Sequence, residues 1–236
     1  MACKYAVTKS IIPSNINKGK GPMCFSAEAS FAASGALAAS GIAISRMPKE
    51  KSETPLALFP VIFAVHQFIE GILWLNHTGV LPDDYKSGAV YGFVFIAFLL
   101  WPIFVPFSAY MIETGKTRRR IILLCQLIGL YVGLTFLISN VNNPIDASVV
   151  GHSFSYKIDA PYDLLIPYFI AVSIPFLISS KKGLVCFGGA LTLSYAVALV
   201  MASSTTFPSV WCFFAAILSI FLYLHFRYAA RVTAKN

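Results

Sequence analysis

The chain alternates between long apolar runs and short polar connectors. Seven runs stand out, at about 26–45, 55–76, 87–111, 121–139, 163–179, 184–203 and 207–227. A helix needs roughly 20 apolar residues to cross the hydrocarbon of a bilayer. The runs are continuous rather than alternating, which points to helices and away from a transmembrane barrel. The fifth is the shortest and contains Pro167 and Pro175. The pattern predicts an all-α fold: a polytopic membrane bundle of about seven transmembrane helices.

Composition agrees. Hydrophobic residues make up 57% of the chain and charged residues 12%, against about 25% charged in an ordinary soluble domain. The net charge of +8 does not indicate a nucleic-acid partner, because the basic residues sit in connectors between apolar runs. Lys and Arg near span ends set orientation. Arg46, Lys49, Lys51, Lys116, Arg118, Arg119, Arg120, Lys181 and Lys182 occupy alternate connectors, and Arg227, Arg231 and Lys235 follow the last span. The connectors on the other side carry only Lys86 and Lys157. The C-terminus is therefore expected to be cytoplasmic and the N-terminus outside. Residues 1–22 carry Lys4, Lys9, Lys18 and Lys20 without an apolar core. They read as a basic extension rather than a secretory signal, with 23–236 as one domain.

Local features refine the bundle. The first span is rich in small residues, with Ser30, Ser34 and Ala38 on one stripe and Gly35 and Ala39 on another; such spacing lets helices approach closely. Trp101-Pro102 and Pro106 predict a kink in the third span. The connector at about 140–162 is expected to form an ordered cap. Trp74, Trp211 and Tyr91 fit an aromatic belt at the outer interface. Cys125 and Cys186 read as small core residues, and no CxxC pair is present.

Ionisable groups inside hydrocarbon are costly and mark function. Depth follows from 1.5 Å of rise per residue. Glu28 lies about one turn below the outer surface; Glu70 lies about 9 Å, and His66 about 15 Å, below the outer end of the second span. Ser209 and Cys212 fall in the first two turns of the last. Cys24 precedes Glu28 by four residues, as His66 precedes Glu70, and that spacing places each pair on one helix face. Cys24, His66, Glu70 and Cys212 are the candidate metal ligands. A divalent ion fits such a mixed set, with zinc favoured and iron or copper as alternatives. Glu28 is a candidate general base or supporting group beside the ligands, and His152, in the outer connector, a candidate lid-borne acid or ligand. The cytoplasmic half is expected to hold no comparable group. The bland reading stands beside this one: His66 and Glu70 as a structural polar clamp, Cys212 as a small buried residue and Glu28 as a helix cap.

Met23-Cys24-Phe25-Ser26-Ala27 with Ala29-Ser30-Phe31, then His66-Gln67 with Glu70-Gly71, Trp101-Pro102 with Pro106, and Ser209-Val210-Trp211-Cys212-Phe213-Phe214-Ala215-Ala216 form a combined signature. From Met23 onward it resembles a family of small bacterial membrane proteins classed as a domain of unknown function. The resemblance implies a bacterial cytoplasmic (inner) membrane and a start at Met23, which would leave Cys24 as the mature N-terminus. It implies no activity. The layout is also loosely similar to seven-helix ceramidase and adiponectin-receptor-like hydrolases, although the histidine pair of their last helix is missing here.

Two functions follow. The first is a metal-dependent hydrolase, in which the ion polarises water to cleave an amphiphilic ester or amide arriving from membrane lipid. The second is a transporter or channel in which His66 and Glu70 bind a proton or small solute. No HExxH, Walker A or GxSxG pattern is present, so the familiar routes to protease, nucleotidase or serine-hydrolase chemistry are not indicated.

Overall fold

The computed structural model describes residues 26–47, 50–159, 164–202 and 205–233. The extension 1–22, Met23 and Cys24 lie outside the described residues. The helices are α1 (Ala27–Ser45), α2 (Thr54–Ala57), α3 (Phe59–His77), α4 (Asp84–Phe95), α5 (Trp101–Ile112), α6 (Lys116–Asn140), α7 (Leu165–Leu177), α8 (Lys182–Met201) and α9 (Phe207–Thr233). Six helical stretches are long and apolar enough to cross a membrane: Ala27–Ser45, Lys51–His77, Asp84–Ile112, Lys116–Asn140, Lys182–Met201 and Phe207–Tyr228.

The fifth expected span is the exception. Only Leu165–Leu177 is helical there, 13 residues, or about 20 Å at the usual rise. The chain nevertheless passes from one end of the bundle to the other in this region. Asp159 bonds Asn140 at the end of α6, and Ser180 bonds Glu113 at the end of α5. Pro167 sits in the first turn of α7, where its missing N–H costs nothing, and Pro175 lies inside the helix.

The bundle is not wholly α-helical. Strands β1 (Asp146–Val150) and β2 (Ser153–Lys157) pair antiparallel in the connector expected to cap the outer face. Ser153-Phe154-Ser155-Tyr156-Lys157 alternates in character, and Phe154 and Tyr156 turn inward while Lys157 stays exposed. Gly151 closes the hairpin at φ 62°, a backbone region that suits glycine. The Tyr156 amide also donates to the Thr205 carbonyl at 3.0 Å, which ties the hairpin to the α8–α9 connector.

Packing shows how helices approach when lipid offers no hydrophobic advantage to association. Helix α1 uses one of its two small-residue stripes. Ser30 is buried, Ser34 donates to the Ala64 carbonyl at 2.8 Å, and a Cβ on Gly41 would lie 2.5 Å from Val61 Cγ2. Gly35, on the other stripe, has nothing within 4 Å. Helix α4 runs into α5 through a π-helical turn, Ile96–Leu100, directly before Trp101-Pro102. Pro106 has no N–H, so it cannot serve the carbonyl of Pro102 four residues earlier. That carbonyl faces Gly129 of α6 so closely that a Cβ there would sit 1.8 Å from the oxygen. One turn later, Gly133 meets Leu99 and Ile103.

An aromatic column fills the middle of the bundle. Phe63 stacks on Trp101 with ring centroids 4.2 Å apart, and Phe59 and Phe176 meet edge to face at 5.9 Å. Trp74 and Trp211 are buried in this interior rather than in an interfacial belt; Tyr91 is exposed, and its hydroxyl accepts from the Ile145 amide at 3.3 Å. Cys125 is buried as expected, but Cys186 is exposed.

The end of the bundle that carries most of the basic residues contradicts one expectation. It holds two buried carboxylates, Glu53 and Glu113. Glu113 accepts from the amides of Thr114 at 3.1 Å, Gly115 at 2.9 Å and Ser180 at 2.8 Å, which joins two connectors. Burial alone would raise its carboxyl, but the Gly115 and Ser180 donors, with Arg118 nearby, hold it below the usual carboxylate range. Glu53 accepts from the Glu50 amide at 3.2 Å and lies 3.7 Å from Lys181 Nζ. Charge density along the sequence hides these groups, because lysines and arginines surround them.

Two predictions follow from these contacts. Gly129→Ala drives a methyl into a backbone oxygen and costs about 3 kcal/mol, the upper end of overpacking. Exposed Gly88→Ala meets no atom within 4 Å and is neutral or mildly stabilising; thermal unfolding in detergent separates the two. Glu113→Ala strands three amide donors and costs about 3 kcal/mol at neutral pH. Because the folded-state value is lowered, this contribution is complete above the ordinary carboxylate range. It is lost as pH falls through the lowered value, so wild-type and variant midpoints converge in acid.

Candidate functional site

Helix α3 builds the site. His66, Gln67, Glu70 and Leu73 recur at helical spacing, and all four are at most 1% exposed. Helix α9 faces them with Ser209, fully buried in its first turn, and Cys212 one turn further on. Ser209 Oγ donates a hydrogen bond to Glu70 Oε1. The Gln67 amide lies beside the same carboxyl. Tyr156 of β2 closes the site from the hairpin and lies within electrostatic reach of both Glu70 and Cys212. Its ring stacks on Phe93 of α4 at 4.5 Å, and Phe93 lies 4.1 Å from the His66 imidazole.

Hydrogen bonding fixes the roles of these groups. His66 Nε2 is 3.1 Å from the Phe93 carbonyl. A carbonyl only accepts, so Nε2 carries the proton and Nδ1 of the neutral ring is left as an acceptor. Nδ1 has no partner among the described residues, nor have Glu70 Oε2, either end of the Gln67 amide or the Tyr156 hydroxyl. Burial lifts the Tyr156 phenol well above its usual range, and neighbouring Glu70 and Cys212 push it the same way. It is therefore a neutral hydroxyl able to donate. Buried polar groups are normally paired; here five atoms in one region have no protein partner, and a carboxylate oxygen and an imidazole nitrogen are the strongest acceptors among them.

The sequence-predicted residues divide cleanly. The structure brings His66, Glu70 and Cys212 into one buried region. Glu28 is exposed in the first turn of α1, where it complements the helix N-terminus. His152 is exposed at the hairpin turn and does not fold onto the cluster; Phe154 and Tyr156 of the same hairpin do. Cys24 lies outside the described residues. Among the described residues, no three His, Cys, Asp or Glu side chains gather as a metal-ion cage. Neither ring nitrogen of His66 bonds the Ser209 hydroxyl, whose partner is the Glu70 carboxyl. Tyr156 was missed, and the alternation in Ser153–Lys157 was the signal that could have revealed it.

A second feature lies above this centre. A cavity of about 440 Å³ opens on the hairpin face between the end of α3, the start of α4 and β1. His77, Asp83, Lys86 and Ser148 are among its walls, with Leu73 and Phe154 also lining it. Lys86 Nζ holds Asp146 Oδ1 at 2.7 Å and keeps that carboxyl below its ordinary range.

The chain belongs to the family described as Family of unknown function (DUF6629), whose model matches residues 23–236. No curated protein and no solved structure matches it.

Ser209→Ala should leave Glu70 without its one hydroxyl donor and cost about 1–3 kcal/mol, the penalty for a stranded buried acceptor. Ser209→Thr should restore most of the loss. Pairing Ser209→Ala with Glu70→Leu should cost less than the two separate losses added together, and a double-mutant cycle on thermal midpoints measures that coupling.

Proposed function

We propose that this integral membrane protein is a transporter or channel for a small cation or proton, with the buried Glu70–Ser209–His66 centre as its binding site. One observation carries the reading. The unpaired Glu70 Oε2 and His66 Nδ1 present a carboxylate and a lone pair to the same interior, and a proton or cation satisfies both. A carboxylate at this depth without a counter-charge is expensive. The π turn at Ile96–Leu100 and the interior prolines Pro106 and Pro175 supply the irregular helices that carriers use near their sites. Glu53 and Glu113 supply polar groups toward the opposite end. The aromatic column between them reads as the closed side of the pathway. The Lys and Arg bias supports a hairpin face outside and a basic face in the cytoplasm.

A metal-dependent hydrolase is the second reading. His66 Nδ1 and Glu70 Oε2, unpartnered and four residues apart on one helix, favour it. Zinc, or iron or copper, would take those two atoms, and Cys212 or Cys24 would have to complete the set. Elemental analysis of protein purified without chelators tests this reading: stoichiometric metal that disappears in His66→Ala and Cys212→Ala supports it, whereas metal-free wild type removes it.

The transport reading is tested in proteoliposomes. Wild-type protein should dissipate an imposed proton or monovalent-cation gradient. Glu70→Gln should slow that flux at least tenfold while keeping the wild-type thermal midpoint within a few degrees. Flux that is unchanged in Glu70→Gln, or absent from wild type for every cation tried, overturns the assignment.

A further inference from the structure

The cavity on the hairpin face has its own chemistry. It measures about 440 Å³ and combines the Asp83 carboxylate, the Lys86 ammonium and the His77 imidazole with an apolar floor of Leu73 and Phe154. Asn76, nine-tenths buried, stiffens its wall by donating to the carbonyls of Leu81 and Pro82 and to Asp83 Oδ1. Acidic side chains predominate at this end among the described residues. Among the described residues, Glu28, Asp83, Asp84, Asp146 and Asp159 face only Lys86 and Lys157 at this end of the bundle. The opposite end has the reverse balance, with Arg118, Arg119, Arg120 and Lys182 exposed and two of its carboxylates, Glu53 and Glu113, buried in connector contacts.

The cavity and the buried centre share one face of α3. His66, Glu70, Leu73 and His77 follow at intervals of four, three and four residues, which keeps them on a single stripe of α3. His77 and Leu73 line the cavity, and Glu70 and His66 carry the unpaired acceptors below it. From His77 to Glu70 is about 10 Å along the helix. Across from this stripe, the hairpin supplies a second continuous wall. Phe154 lines the cavity, Tyr156 lies 6.2 Å from Phe154, and Tyr156 stacks on Phe93 beside His66.

We infer that this cavity is a vestibule that collects small cations from the hairpin side and delivers them, past Leu73 and Phe154, to the Glu70 centre. The inference rests on the transport reading for its destination, but not for its own chemistry. Acidic rims raise the local concentration of cations at a mouth bounded by low-dielectric walls. Asp83 supplies the charge inside the cavity, Lys86 is neutralised by Asp146, and Phe154 is the ring that separates the vestibule from Tyr156 and the acceptors beneath.

Thiol labelling in sealed vesicles tests the vestibule without any transport assay. Leu73→Cys places a thiol on the floor, and Ser148→Cys places one on the exposed β1 wall without disturbing the core. Each variant is treated with a trimethylammonium methanethiosulfonate or with its sulfonate counterpart, and modification is read by peptide mass. The cationic reagent should label both positions at least tenfold faster than the anionic one. Asp83→Asn should reduce that ratio at least threefold. Sodium, potassium or methylammonium chloride should protect Leu73→Cys better than N-methylglucamine chloride at equal ionic strength. In otherwise wild-type protein, Phe154→Ala should accelerate labelling of the native Cys212 at least tenfold. Equal or reversed reagent rates at Ser148→Cys, or absence of protection by all three cations, overturns the vestibule. So does a Phe154→Ala protein that keeps its thermal midpoint but labels Cys212 no faster. The two readings fail separately: charge-selective labelling combined with flux indifferent to Glu70 keeps the vestibule and removes the transport site, and the opposite pair of results does the reverse.

Discussion

Hydrocarbon offers no hydrogen bonds, so every polar atom within the bundle must be answered by another part of the protein. This constraint organises most of what the structure contains. Pro106 deprives the Pro102 carbonyl of its helical donor, and the Gly129 backbone packs directly against that oxygen. His66 spends one ring nitrogen on the Phe93 carbonyl, and Tyr168 reaches the Ala97 carbonyl at 2.8 Å inside the π turn. Glu113 gathers three amides that the ends of two helices leave open. Among the described residues, unpaired buried atoms remain at Ser173 and at the indole nitrogens of Trp74, Trp101 and Trp211, and they are most concentrated around Glu70. That region holds a carboxylate oxygen and an imidazole nitrogen without a protein partner.

The spans were legible because hydropathy is a property of whole segments and survives local irregularity. The depth arithmetic that set Glu70 opposite Ser209 and Cys212 worked for a related reason: a helix of known rise converts sequence number into height. Side-chain direction was less accessible. Glu28 had the right height but points outward, because α1 turns its Ser30–Ser34 stripe, and not its acid, toward α3. His152 failed for lack of a periodic signal at the hairpin turn, while Tyr156, four residues on, lay in plain alternation. The buried acids at the basic end were invisible because their partners are backbone amides, which the sequence does not mark.

The short α7 illustrates a different limit. Length alone makes it too small to span, yet its neighbours are fixed at opposite ends of the bundle by Asn140 and Glu113. Connectivity, not hydropathy, decides that the chain crosses there. Tyr168, from this same helix, bonds the π turn, so the least regular pass is fastened to the least regular part of its neighbour.

The contact between Pro102 and Gly129 has a mechanical consequence. A carbonyl seated against a glycine backbone leaves α5 and α6 no room to slide or roll past each other without separating, so the pair behaves as a stator. Any motion that opens the Glu70 region must then be carried by the rotor that remains: α3 with its partner α1, and α9 with the strand pair tied to its leading connector. Helix α1, closely packed on α3 through Ser34 and Gly41, would travel with it.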